Sequence, residues 1–358
     1  MSSQAYTTYL ITGGTGFIGS YLAVTLLEKD HRCRVVLADS NPDRRRVAGF
    51  KDRFTANQER VTFVQCDLAN FAHVLALFDR HEPTSIFHLG ALLSAGADAN
   101  PTQGFDVDLL GARHVFEATR LYCQHKKQPP VRVLFPSTIA SFGSHLPPEQ
   151  APPDGRVANE SVQMPTTMYG LAKVACERLG EWYQSRKPDP WIDFRAVRFP
   201  SVIGAARGPG GTTVYSTLMV QLPLLGKAYE AFVPEDLRLD VIYVKDAVRS
   251  LIGLHDADAA KLKRRVYNIA GLRGADGKPL AAADIRDAVV AAGATGAITF
   301  KPNQALVDTV RGFGILDDQA ARQDWGWEPH WKDLHEVVAD FKKELSEFPD
   351  RLKALELY

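Results

Sequence analysis

Apolar positions along the chain fall into two rhythms. Short, largely apolar runs at 9–12, 34–38, 61–65, 85–88, 131–135 and 194–198 predict buried strands, since a strand covered on both faces needs no polar alternation. Between them the apolar residues recur at helical spacing. Ile18, Leu22, Leu26 and Leu27 follow the first run, Val74, Leu75 and Phe78 follow the third, a long pattern over 101–123 follows the fourth, and Ala175, Leu179 and Trp182 precede the sixth. Strands alternating with helices predict an α/β fold, a doubly wound parallel sheet with helices on both faces. A run at 266–270 predicts a strand returning to that sheet, and amphipathic patterns at 283–292 and 334–345 predict helices of a smaller C-terminal α/β part. The expected division is a sheet domain over 1–203, with a returning segment near 240–270, and a second domain made mainly of 204–358.

The first strand breaks into Gly13-Gly14-Thr15-Gly16-Phe17-Ile18-Gly19 before its helix. Gly14, Gly16 and Gly19 fit G-x-G-x-x-G spacing, and Gly13, Gly16 and Gly19 fit the overlapping G-x-x-G-x-x-G spacing. Either set permits a tight strand-to-helix turn, close approach of a pyrophosphate and close packing of helix on sheet. The helix start at Phe17 and Ile18 adds N–H donors and the positive end of a dipole. The second strand ends in Asp39, about twenty residues past the last glycine, where a carboxylate meets the adenosine ribose. Features in this order predict a Rossmann-type dinucleotide site. Asp39 suits both ribose hydroxyls and repels a 2′-phosphate, which points to NAD. Arg44, Arg45 and Arg46 read as the start of a solvated helix rather than as a phosphate holder.

Composition then removes several classes of partner. The 42 basic residues equal the 42 acidic ones and no basic run exceeds three, which argues against nucleic acid or an anionic membrane. No apolar stretch reaches the length of a membrane span, and residues 1–8 are too short and polar for a secretory signal. Cys33, Cys66, Cys123 and Cys176 show neither zinc-ligand nor C-x-x-C spacing. The expectation is a cytoplasmic, thiol-reduced protein without a metal, acting on a small molecule.

Chemistry-bearing residues collect where the strands end, the edge along which ligands lie in open α/β sheets. Asp67 and Leu68 follow the third strand; Leu89, Gly90 and Ala91 follow the fourth. His88, preceded by Ile86 and Phe87, reads as a packed, satisfied histidine rather than a base. The fifth strand delivers Pro136, Ser137 and Thr138. Residues 145–165 hold five prolines without periodicity and read as a lid or binding loop. Beyond them Tyr169 and Lys173, four apart at a helix start, share one face that brings an ammonium near a phenol.

Taken together, the glycine loop, Asp39, Asp67-Leu68, His88 to Ala91, Ser137-Thr138 before Phe142-Gly143, and Tyr169 to Lys173 resemble an extended short-chain dehydrogenase/reductase of the NAD-dependent epimerase/dehydratase family, over nearly the whole chain. The resemblance implies that Thr138, five residues before Gly143, is the catalytic hydroxyl and that Pro200 lies at the nicotinamide carboxamide. It also implies a homodimer built from the helix near 101–123 and the helix from Tyr169. Segments 91–94, 136–143, 208–215, 229–232 and 317–327 are similar to the L-threonine 3-dehydrogenase branch, which oxidises the β-hydroxyl of threonine with NAD. The roles expected are Tyr169 as acid/base, Lys173 as the group that lowers its pKa and holds the nicotinamide ribose, and Thr138 as the group that orients the reacting oxygen. Ser94, Gly211, Thr212 and Thr213 are expected to position the substrate.

The chain departs from these patterns in places. Asp108 stands where the superfamily has Asn. Val214 follows the two threonines where the branch has Asp, which removes a carboxylate able to meet an ammonium. Val310-Arg311 replaces a tryptophan-proline pair, and glycine-rich 271–277 replaces Ser-Phe-Thr-Pro. Arg238 and Arg311 thereby become candidates for holding a substrate carboxylate, each against the alternative of a surface salt bridge. The expected activity is NAD-dependent oxidation of a secondary alcohol of a small polar substrate. Dehydrogenation of a 3-hydroxy acid or sugar acid, and sugar-nucleotide epimerisation with retained NAD, are the enzymatic alternatives. The segment 239–243 lacks the arginine that such epimerases commonly carry before the aspartate. A non-catalytic NAD-sensing module would keep the fold without needing Thr138, Tyr169 and Lys173. Trp325 and Trp327 are expected in the core of the small domain.

Overall fold

The computed structural model describes residues 7–42, 57–143, 155–347 and 349–354. Arg44 to Arg46 and residues 145–154 of the proline-rich loop lie outside the described residues. Seven strands, β1 (Thr7–Thr12), β2 (Cys33–Asp39), β3 (Val61–Gln65), β4 (Ser85–His88), β5 (Arg132–Thr138), β6 (Asp193–Phe199) and β7 (Val266–Asn268), form one sheet in the order β7-β6-β5-β4-β1-β2-β3. Every pairing in it is parallel. The larger helices are α1 (Phe17–Lys29), α2 (Phe71–His81), α3 (Gly111–Lys126), α4 (Met168–Gln184), α5 (Tyr215–Leu224), α6 (Val244–Asp256), α7 (Ala282–Ala291) and α8 (Leu334–Glu347).

Strand side chains alternate between two cores, as a period of two requires. Tyr9, Ile11, Val35, Leu37, Phe87 and Leu134 face one core together with Leu22 and Leu26 of α1 and Val248 of α6. Leu10, Val36, Ile86, Val133 and Phe135 face the other, against Val74 and Phe78 of α2, Val115 of α3 and Tyr183 of α4. Burial on both faces is the physical reason these strands read as continuous apolar runs.

Two elements differ from the sequence-based expectation. β5 continues three residues past Phe135, because pairing with β6 carries on through Ser137↔Arg198 and Thr138↔Phe199. The helix expected over 101–123 is interrupted: Pro101–Gly104 leads into a π-helical turn at Phe105–Leu110 before α3 begins. Asp108 lies buried in that turn, its Oδ1 accepting from the Leu92 N–H at 2.7 Å. Wider turns of this kind often sit beside functional sites.

Short strand pairs make the rest. Ser201–Ile203 runs parallel with Val241–Tyr243 and Tyr229–Ala231 with Ile298–Phe300, while Arg238–Leu239 is antiparallel to Leu280–Ala281. Arg156–Val157 pairs with Ile315–Leu316, so a segment preceding α4 joins C-terminal structure. Trp327 is buried and its Nε1 donates to the Ala270 carbonyl at 3.3 Å, with the Trp325 ring 5.7 Å away. The strand order reverses between β1 and β4, and the chain's main cleft opens along the carboxyl ends there.

Candidate active site

The cleft has a volume of about 1060 Å³. One end is built on the glycine loop. Gly13, Gly16 and Gly19 line it, whereas Gly14 is pressed against the Ile11 carbonyl and Leu37, so the Gly13 spacing is the one that faces a ligand. Gly13 has φ +64°, and a Cβ there would stand 2.8 Å from the Gly90 Cα; one at Gly19 would stand 2.4 Å from the Gly13 carbonyl. α1 starts with Gly16 as its N-cap and no side-chain cap, leaving Phe17 and Ile18 at the cleft wall. At the end of β2, Asp39 Oδ2 accepts from Thr15 Oγ1 at 2.8 Å and from the Thr15 N–H at 3.2 Å, which fixes the carboxylate at the cleft edge. Asp67, Leu68, Leu89, Gly90, Ala91 and Pro200 complete the lining. A cradle that any Cβ would fill, an uncapped helix start and an oriented acid about one strand away fit the pyrophosphate and adenosine ribose of NAD.

The other end carries hydroxyls. Thr138 closes β5, its Oγ1 accepting from the Ala140 N–H at 3.1 Å. Tyr169 is the second residue of α4, and Thr167 caps that helix by accepting from the Gly170 N–H at 3.0 Å. Thr138 and Tyr169 both line the cleft, with the Thr138 hydroxyl close enough to act on the Tyr169 phenol. One turn along, Lys173 is 4% exposed, donates to the Pro136 carbonyl at 2.8 Å, and holds its Nζ 5.4 Å from the centre of the Tyr169 ring. Ser94 Oγ lies 3.0 Å from both the hydroxyl and the backbone N–H of Thr212, joining two loops across the cleft. Gly211 and Thr213 line the same wall.

Burial pushes the Tyr169 phenol well above its ordinary value, and the Asp108 carboxylate adds to the rise; the Arg207 guanidinium and the nearby Thr138 hydroxyl oppose it. Burial pulls the Lys173 ammonium down, against the Asp108 carboxylate. Arg207 is thus a cation that acts to lower the phenol in this arrangement, while Lys173 donates to the Pro136 carbonyl. His88 is packed against Phe135, accepts or donates one hydrogen bond with Thr12 Oγ1 at 2.7 Å, and is pulled down to about 3 by burial, so it is neutral. Its Nε2 has no hydrogen-bond partner among the described residues, so only half of the imidazole is satisfied.

Two expected substrate residues are corrected. Arg238 lies outside the cleft: its strand pairs with Leu280–Ala281, which carries the guanidinium to the Pro279 carbonyl at 2.7 Å and to Asp276 at 2.9 Å, both partners on a partly exposed surface. Arg311 is exposed at the last turn of the helix Gln304–Arg311, and Phe313 rather than Arg311 reaches the cleft. The guanidinium that does line the cleft is Arg207. A signal for it existed, since Arg207 is the lone charged residue between 199 and 226.

A family model described as NAD dependent epimerase/dehydratase matches residues 9–270. The chain belongs to this family. It is similar to the mitochondrial L-threonine 3-dehydrogenase of Bos taurus, with 29% identity over 335 residues that cover 92% of this chain and 80% of the relative. Among solved structures it is similar to a GalE-like L-threonine dehydrogenase from Cupriavidus necator in its holo form, with 31% identity, a TM-score of 0.79, and coverage of 94% of this chain and 99% of that one. A monomeric L-threonine 3-dehydrogenase from a metagenome, in its apo form, aligns with 27% identity and a TM-score of 0.77, covering 94% of this chain and 98% of that one. This member of the epimerase/dehydratase family is an NAD-dependent oxidoreductase of the extended short-chain dehydrogenase/reductase type, and NAD is its cofactor.

Proposed function

We propose that the enzyme oxidises the secondary hydroxyl of a small polar substrate in the manner of an L-threonine 3-dehydrogenase. The observation that carries this reading is the convergence of Thr138, Tyr169 and buried Lys173 in the cleft lining, where the dinucleotide end meets the Ser94–Thr212 contact. NAD, when bound, supplies the hydride acceptor and a positive ring that favours the phenolate. The glycine loop with Phe17 and Ile18 would hold its pyrophosphate, Asp39 the adenosine ribose, and Asp67 and Leu68 the adenine end. Leu89, Gly90 and Ala91 would line its middle, with Lys173 on the nicotinamide ribose and Pro200 at the carboxamide. Lys173 keeps two ammonium protons beyond the one given to the Pro136 carbonyl.

Tyr169 takes the proton of the substrate hydroxyl as its carbon gives up hydride, and Thr138 holds the reacting oxygen through the transfer. Bringing a phenol from an ordinary value near ~10 to ~7 requires about 4 kcal/mol of stabilisation. Burial works against it here, so the phenol is a proton donor at rest and becomes a base only when positive charge converges on it. Ser94, Gly211, Thr212 and Thr213 position the remainder of the substrate.

The test is NADH formation with L-threonine and with 3-hydroxybutyrate, alongside Tyr169→Phe. Net NADH and a fall in kcat of about 10³-fold in the variant are expected from loss of the acid/base. A near-wild-type rate removes the assignment, and inversion of a substrate's hydroxyl with bound NAD retained and no net NADH indicates an epimerase.

Its free, buried cysteines fit a thiol-reducing compartment, which we take to be the cytoplasm. No described helix is long and apolar enough to cross a membrane. Exposed Leu121 on α3 and Leu171 and Trp182 on α4 support a homodimer through these helices. Sedimentation as a monomer at micromolar concentration would refute it.

A further inference from the structure

We propose that Arg207 is the anion anchor of the substrate subsite and that it selects alcohols bearing a carboxylate. This rests on the reading of the cleft as a dehydrogenase site and adds the substrate's charge to it.

Arg207 sits past the strand Ser201–Ile203, half-buried in the cleft wall. Its Nη1 donates to the Val202 carbonyl at 2.6 Å and to Thr217 Oγ1 at 3.3 Å, so one corner of the guanidinium is pinned. The opposite edge, Nε and Nη2, makes no hydrogen bond among the described residues. That is the edge a carboxylate meets with two parallel bonds. Gly211 keeps the approach open: it has φ +89°, and a Cβ there would come 3.5 Å from Arg207 Nη2 and 3.9 Å from Ser94 Oγ.

The charge around Arg207 is one-sided. No described acid pairs with it, and Tyr169 is the one titratable group that acts on its charge. Burial pulls the guanidinium down to about 10, which leaves it cationic at neutral pH. The acids that line the cleft are Asp39 and Asp67, both at the dinucleotide end. The position after Thr213 is buried Val214, so no carboxylate there awaits an ammonium. A desolvated cation without a counter-ion, facing hydroxyls and the catalytic phenol, is stabilised when an anion enters. The substrate class this favours is a short hydroxy acid, its carboxylate on Arg207 and its hydroxyl at Tyr169.

The experiment compares 3-hydroxybutyrate and L-threonine with their methyl esters in the wild type, Arg207→Met and Arg207→Lys. In the wild type kcat/KM should favour acid over ester. In Arg207→Met that ratio should fall about 100-fold, mainly through KM, because one partner of a desolvated charge pair is gone. Arg207→Lys, which keeps the charge but not the two-pronged edge, should recover part of the ratio. An unchanged ratio in Arg207→Met overturns the proposal, as does a loss confined to NAD affinity. If the wild type oxidises none of the four compounds, the dehydrogenase reading fails and Arg207 is judged by binding to the NADH complex. Acetoacetate bound in preference to acetone by the wild type, and not by Arg207→Met, then supports the anchor; the same preference in both overturns it.

Discussion

Replacing Asp108 with Asn should stabilise the enzyme, and by an amount that depends on pH. Asp108 is 3% exposed in the π-helical turn. Its Oδ1 has the Leu92 N–H, but its Oδ2 has no hydrogen-bond partner among the described residues. Burial raises the carboxyl from 3.8 to about 6, against the smaller downward pull of Lys173 and of the Leu92 N–H. Below pH 3.8 both folded and unfolded chains hold this proton, and the group makes no difference. Above it the unfolded chain releases the proton first, so native stability falls until the folded group also ionises near pH 6. The gap of about 2.2 units, at about 1.36 kcal/mol each, gives a penalty of about 3 kcal/mol that is complete by pH 7 to 8. The attraction of Lys173 is already within that balance. Asn keeps the acceptor for Leu92 and never ionises. Urea unfolding should therefore show Asp108→Asn close to wild type at pH 4 and more stable by up to about 3 kcal/mol at pH 8. A stability difference that does not change with pH, or a variant less stable at pH 8, would refute this account of the site.

Two further outcomes follow from packing. In Gly19→Ala the added Cβ would stand 2.4 Å from the Gly13 carbonyl, so the loop must move; the expected result is at least a tenfold loss of NAD affinity by fluorescence titration, of order about 1.4 kcal/mol, with the fold retained by circular dichroism. Glu177 is fully buried and pairs with buried Arg198 at 2.8 Å, which makes Glu177→Leu leave an uncompensated guanidinium; the loss should be about 3–5 kcal/mol in urea unfolding, and a loss under about 1 kcal/mol would show that the pair matters little.

Much of the sheet was legible in the chain because its determinants are local or repetitive. Two-sided burial forces apolar runs, so the strands and the returning strand stood out, while β5 hid its last three residues because Pro136, Ser137 and Thr138 belong to it only through pairing with β6. Tyr169 and Lys173 share a face by helix geometry alone, with no help from the rest of the molecule.

The sequence by itself determined the order of strands and helices, the glycine turn, the acid that ends β2, and the phenol and ammonium one helical turn apart, since each depends on residues a few positions away. Tertiary structure alone decided which glycines face the cleft, because Leu37 closes in on Gly14 from the neighbouring strand. It also decided which arginine lines the cleft: Arg238 is carried off by its pairing with Leu280–Ala281, and Arg207 is pinned in the cleft wall by Val202 and Thr217. The charge state of Asp108 belongs to the same class. A side chain's charge acts through the space around it, and what desolvates or neutralises it comes from parts of the chain that only folding brings near.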